Sequence, residues 1–150
     1  MKINSICVEG VDRCGKTEII KLLDKATDYK FINVIRGPIG YEAYNRMFNK
    51  GQDSEAFKAT GIIMSEYTVT IFIRCREETL RQRMIDTNEI LRGCNSVEDS
   101  LLVMMERQSR YLDVFKEASF WPMKNLYVID NDGPLEETVA QIVALLGTLG

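Results

Sequence analysis

Eight residues near the amino terminus, Gly10-Val11-Asp12-Arg13-Cys14-Gly15-Lys16-Thr17, constrain this chain more than any other stretch. They fit G-x-x-x-x-G-K-[ST], the loop that holds phosphate groups with its own backbone. The flanks supply the context that the motif requires. Ile3 to Val8 is short, mostly apolar and partly β-branched, which predicts a buried strand. Thr17 to Ala26 carries Ile19, Ile20, Leu22 and Leu23 at the spacing of a helix with one buried face. Gly10 and Gly15 permit backbone conformations that a side chain would obstruct. Successive N–H groups then turn inward as a nest for phosphate oxygens. The loop opens into the first turn of the helix, where unpaired amides and the helix dipole favour an anion. All eight residues, Gly10 to Thr17, are therefore nucleotide-binding candidates. Lys16 is placed to reach the β- and γ-phosphates, and Thr17 to offer its hydroxyl to Mg²⁺.

The rest of the chain continues the alternation. Strands are expected at about 3–8, 31–35, 68–74 and 126–129, and helices at about 16–27, 40–50, 53–66, 77–90, 96–118 and 135–147. Strands alternating with helices predict an α/β fold: a parallel sheet of four to five strands with helices on both faces, the three-layer P-loop architecture. In such a sheet ligands bind beyond the carboxyl ends of the strands. That rule puts the loop, Arg36, Arg74 and Asp130 on one rim. Residues 1–150 read as one domain, with no repeat, low-complexity tract or linker. The polar stretch 85–98, which contains Arg92-Gly93, is the candidate mobile lid, with an ordinary helix–helix loop as the equal alternative.

Composition removes several function classes. The chain has no histidine, which excludes serine–histidine and cysteine–histidine hydrolysis and histidine-ligated metals. Phosphoryl transfer survives, because it runs on positioning and on charge neutralisation by Mg²⁺, Lys and Arg. A net charge of −3 argues against a duplex nucleic acid partner. No apolar run is long enough to span a membrane, and Met1-Lys2 leads straight into the first strand with no secretory signal. A cytoplasmic protein follows. Cys7, Cys14, Cys75 and Cys94 lack metal-site spacing and read as free thiols. Cys14, near Lys16 and a helix amino terminus, is expected to have a lowered pKa and to alkylate readily.

The segment Val8-Glu9-Gly10-Val11-Asp12-Arg13-Cys14-Gly15-Lys16-Thr17 closely resembles the loop of thymidylate kinases, E-G-x-D-x-x-G-K-[ST], and its Arg after Asp resembles the eukaryotic and viral branch. Arg36-Gly37-Pro38 resembles the family's R-x-P motif after the second strand. Glu78 followed by Arg83 resembles its E-x-x-x-x-R. Ile129-Asp130 with the Asn131–Pro134 turn resembles its last strand and adenine-contacting loop. The resemblance implies ATP and Mg²⁺ as cofactors and a nucleotide or deoxynucleotide as acceptor. It implies that Arg13 neutralises the transferring phosphate beside Lys16, and that Arg36 holds the acceptor phosphate. Asp12 stands at the acceptor sugar or in the loop's own hydrogen bonding. Arg83 and Asn131 lie near ATP, and Glu9 lies at the strand end as a second candidate beside the metal. A compact phage-type enzyme and a homodimer are further implications of the resemblance.

Two departures stand against a full match. The family's Asp-Arg pair at the end of its middle strand has no counterpart, leaving Glu9, Asp12 or Glu66 as stand-ins. The segment from Gly37 to Glu66 is also short, with Tyr41, Tyr44, Arg46, Phe48 and Phe57 left to hold an acceptor. Tyr41, Tyr44 and Phe48 share one helical face, and core packing is favoured over base stacking. These departures motivate the alternative of an NTP-binding module that has lost transfer and acts through a partner or slow hydrolysis. A nucleoside or a polynucleotide 5′-hydroxyl stays open as acceptor. A cleft holding Arg13 and Arg36 and sized for a second nucleotide would favour the kinase. The same cleft filled by Tyr41, Tyr44 and Phe48 would favour the module.

Overall fold

A computed structural model of the chain describes residues 2–149. Among them four parallel strands form one sheet, β1 (Ser5–Glu9), β2 (Ile32–Val34), β3 (Thr68–Arg74) and β4 (Leu126–Asp130), in the order β2-β1-β3-β4. Six helices connect and close it: α1 (Lys16–Ala26), α2 (Pro38–Met47), α3 (Ser54–Met64), α4 (Glu77–Thr87), α5 (Val97–Ala118) and α6 (Leu135–Leu149).

Burial on both faces explains the near-continuous apolar reading of the central strands. Every residue of β1 is buried, as is every residue of β3 except Arg74. Alternate side chains part company across the sheet. Ile6, Val8, Ile71 and Ile73 pack with Ile19 and Leu23 of α1 and with Ile142 of α6. Phe72 points the other way, into Ile39 of α2 and Tyr111 and Phe115 of α5. Burying a ring such as Phe72 contributes on the order of 2–3 kcal/mol.

Local chemistry sets the helix starts. Pro38 occupies the first turn of α2, where a missing N–H is harmless. Asp53 caps α3 by accepting from the Glu55 amide at 3.0 Å, and Ser96 caps α5 by accepting from the Asp99 amide at 3.1 Å. Helix α4 stops at Thr87 because Asn88 adopts the left-handed conformation at φ 51°. The connection between α4 and α5 is therefore 88–96, narrower than the expected 85–98. No helix among the described residues is long and apolar enough to cross a membrane.

The strand order positions the site. From β1 the chain crosses to β2 on one side, then to β3 on the other. The carboxyl ends of β1 and β3 flank the crevice where such sheets hold ligands. Residues 10–17 follow β1 directly into it.

Candidate functional site

Loop 10–17 has the backbone its glycines foretold. Gly15 is left-handed at φ 97°, and a Cβ there would lie 2.7 Å from the Asn131 amide nitrogen. A Cβ on Gly10 would meet the Ile73 carbonyl at 2.9 Å, so the loop and β3 need both positions bare. Helix α1 begins with no side-chain cap, which leaves its first amides available to an anion. The Lys16 ammonium donates to the Gly10 carbonyl at 2.7 Å across the loop, and Thr17 is exposed in the same turn. Asp12 is exposed beside Arg13. Arg13 is itself left-handed at φ 68°, and its guanidinium pairs with Glu89 in the 88–96 segment.

Cys14 corrects an expectation. Its thiol is fully buried, and burial pushes its pKa up to about 12, against the opposing pull of Lys16. Desolvation of the thiolate outweighs the cation and the helix end.

Behind the loop lies a brace that the motif does not announce. The Asn131 amide donates to the Cys14 carbonyl at 2.8 Å, and the Thr138 hydroxyl donates to the Asn131 side-chain oxygen at 2.6 Å. Arg83 donates to the Arg13 carbonyl at 2.7 Å and to the Asn131 carbonyl at 2.8 Å. Arg83 is thus no solvated helix residue. It joins the loop, α4 and the residue that follows β4. Asn131 was expected in a loop that touches adenine, but its side chain is buried and both its polar atoms are engaged. Its side chain holds the shape of the loop.

Glu9 also has another task than the metal role expected of it. One carboxylate oxygen accepts from the Gly37 amide at 2.8 Å and the Cys7 thiol at 3.1 Å, and the other accepts from the Tyr111 hydroxyl. Three donors saturate this buried carboxylate and tie β1 to the start of α2 and to α5. Burial beside Glu9 drives the Cys7 and Tyr111 pKa values upward, so both keep their protons as donors. Gly40 admits this arrangement, since a Cβ there would stand 2.5 Å from Glu9 and 2.7 Å from the Tyr111 oxygen. Among the described residues no cluster of three His, Cys, Asp or Glu could hold a metal ion. Thr17, with Asp12 nearby in the chain, is the donor that the loop offers. That suits a cation completed by phosphate oxygens and water, as Mg²⁺ is.

The aromatic face of α2 divides: Tyr44 packs against the core formed with Tyr111, as the favoured reading has it, whereas Tyr41 and Phe48 do not. Tyr41 and Phe48 are exposed and Tyr44 is half-buried. Arg36 lies over the Tyr44 ring at 4.3 Å and the Tyr41 ring at 5.8 Å. Arg107 of α5 lies over Phe48 at 5.5 Å. Sequence reasoning passed over Arg107. The signal was its place on α5, three residues after Met104 and four before Tyr111, hence on their face.

Two spaces adjoin the loop. A cavity of about 400 Å³ is lined by Asp12, Arg13, Met84, Leu91, Arg92 and Met104. A gap of about 20 Å³, room for a water or so, lies between residues 10–12 and Tyr44, Met47, Arg107 and Tyr111. Asp12 and Met104 line both. Arg13 and Arg36 therefore do not share one cleft: Tyr44 narrows the side nearer Arg36, and the open space lies beside Arg13 and the 88–96 segment. At the far rim Arg74 donates to Asp130 at 2.6 Å and holds its carboxyl below the usual range.

No protein-family model and no curated protein sequence matches this chain. Among solved structures it is similar to shikimate kinase from Bacteroides thetaiotaomicron, with a TM-score of 0.52 and 13% identity. The match covers 96% of this chain and 98% of that one. Likeness at this identity is one of fold, and it extends the three-layer P-loop α/β architecture over nearly the whole chain.

Proposed function

We propose that this protein is a P-loop kinase that transfers the γ-phosphoryl group of ATP to a small acceptor, a nucleotide or deoxynucleotide by its loop resemblance. The observation that carries the reading is the cavity of about 400 Å³ beside Asp12 and Arg13, directly in front of the phosphate loop. Its size suits a small-molecule ligand. The solved shikimate kinase of similar fold supports small-molecule phosphorylation as the class.

In this reading the amides of residues 10–17 and the Lys16 ammonium hold the β- and γ-phosphates, once Lys16 leaves the Gly10 carbonyl. Thr17 holds Mg²⁺, which screens phosphate charge when bound. Arg13 leaves Glu89 to neutralise the transferring group, and Asp12 accepts a hydrogen bond from the acceptor. Arg36, fixed on Tyr44, attracts acceptor charge. Arg83 and Asn131 keep the loop in its receiving shape. Such positioning and charge neutralisation are what phosphoryl transfer requires.

The test is transfer from γ-labelled ATP with Mg²⁺ to nucleosides, monophosphates, a hydroxy acid and a 5′-hydroxyl oligonucleotide. Transfer to one acceptor class, lost in Lys16→Ala, is the expected result. Tight ATP binding without transfer to any of them overturns it. That outcome would favour the NTP-binding module, for which the narrow gap under Tyr44 and Met47 is the supporting observation.

A further inference from the structure

The arginines divide by whether an acid holds them. Arg13, Arg46, Arg74, Arg76, Arg81 and Arg110 each form an ion pair. Arg83 is engaged by main-chain carbonyls. Among the described residues Arg36, Arg92 and Arg107 have no acid partner, although acids outnumber bases in the chain, 22 to 19. Two of these three lie on aromatic faces, and two line the spaces in front of the loop.

Arg107 is the informative one. Its helical neighbours at three and four residues are Val103, Met104, Arg110 and Tyr111, so α5 offers it no acid on that face. The adjacent Glu106 is taken by Arg110 at 2.9 Å. A guanidinium resting on a ring keeps its N–H edge free and has already lost much of its rotational freedom. Arg107 borders the same narrow gap as Gly10, Asp12 and Tyr44. The gap is small, but two of its walls are Met47 and Met104, unbranched side chains that repack readily around a ligand.

We infer that Arg107 is a specificity-determining residue of the acceptor site, and that it selects an anion, a phosphate monoester or a carboxylate, carried on a flat apolar body. The inference rests on the acceptor side of the kinase reading. Arg107 would supply a second cation on the acceptor side from a helix. Tyr44 and Met47 face the apolar body, and Arg36 stands on the outer side of Tyr44.

The experiment measures steady-state rates with Mg²⁺-ATP for deoxynucleosides, their 5′-monophosphates and a cyclic hydroxy acid. The proteins are the unsubstituted chain, Arg107→Gln, Arg107→Lys and Arg81→Gln. The expected result has four parts. Uncharged nucleosides are poor acceptors. Arg107→Gln raises the KM of the anionic acceptor about tenfold or more while the KM of ATP moves less than twofold. Arg107→Lys recovers part of the loss. Arg81→Gln changes neither constant, since Arg81 pairs with Glu77 and Glu98 and lines neither space at the loop. The monophosphate and hydroxy acid arms tell phosphate from carboxylate. An acceptor KM unchanged in Arg107→Gln, or nucleosides used as well as their monophosphates, overturns the inference. If no acceptor is phosphorylated by protein that binds ATP through Lys16, the kinase reading falls and calorimetric titration of the same acceptors decides Arg107. Anion binding lost in Arg107→Gln upholds the assignment, and binding absent or unaffected overturns it.

Discussion

Replacing Asn131 by alanine tests whether the brace behind the loop is structural and whether nucleotide binding depends on it. The side chain makes two buried hydrogen bonds, to the Cys14 carbonyl at 2.8 Å and from the Thr138 hydroxyl at 2.6 Å. Its main-chain bonds to Arg74 and Arg83 survive the substitution. Alanine leaves two buried polar groups without their partner, each costing about 1–3 kcal/mol. The Cys75 thiol, 3.6 Å from the Cys14 carbonyl, compensates little. The expected loss is about 2–5 kcal/mol, a large share of a domain's usual 5–15 kcal/mol. Adding Thr138→Val removes the orphaned hydroxyl and should return about 1 kcal/mol or more. Urea unfolding followed by the buried Trp121, the chain's single tryptophan, reads both values. ATP affinity should fall by about fivefold or more in the single variant, since fewer molecules hold the loop in its receiving shape. A loss under about 1 kcal/mol, or a double variant no more stable than the single one, refutes the accounting.

Three further outcomes follow from the same contacts. In the folded protein only the half-exposed Cys94 should take iodoacetamide at pH 8, with Cys7, Cys14 and Cys75 reacting after urea, as mass spectrometry would record. Early labelling of Cys14 would contradict its burial. The pairing of Asp130 with Arg74 depresses the carboxyl pKa, so its stabilisation is present above the unfolded value near 3.9 and is lost as pH falls through the folded value. Because both side chains are about half exposed, Asp130→Asn should cost under about 1 kcal/mol at pH 7, and urea midpoints of the two proteins should converge in acid. Glu89→Gln releases Arg13 from a surface pair worth at most about 1 kcal/mol, so ATP binding should tighten by no more than about fivefold in calorimetry, and weakened binding would show that Glu89 helps instead of competing.

Some of this was legible in residues 1–150 and some was not, for physical reasons. The loop was readable because its glycines answer local backbone demands: Gly15 is left-handed, and Gly10 abuts the Ile73 carbonyl. The four strands were readable because burial on both faces writes itself as apolar runs. The environment of a side chain was harder. Cys14 was misjudged because motif position reports the nearby cation, whereas desolvation depends on Cys75, Asn131 and β3 closing over it. Glu9 was misjudged because its saturation comes from Gly37 and Tyr111, 28 and 102 residues away. Helical spacing put Tyr41, Tyr44 and Phe48 on one face correctly. It could not say that Tyr44 alone of the three reaches the core while the face also carries Arg36 and Arg107, because that depends on where α5 and the end of β2 come to rest.

The contacts also separate two jobs that one glycine loop must do. Its carbonyls at Arg13 and Cys14 are held by Arg83 and Asn131. Holding those carbonyls fixes the peptide planes of the loop, and fixed planes are what a backbone nest for an anion requires. Cations around the front are differently arranged: Lys16 rests on a carbonyl of the loop itself, Arg13 on an exposed glutamate, and Arg36 and Arg107 on rings. Each of these holds is weaker than a buried carboxylate would be, so in the kinase reading a polyphosphate or acceptor anion would displace it without breaking the fold. The rear bonds are buried and mutually dependent. Substitutions behind the loop should therefore lower stability and nucleotide affinity together, whereas substitutions in front should alter affinity at nearly constant stability.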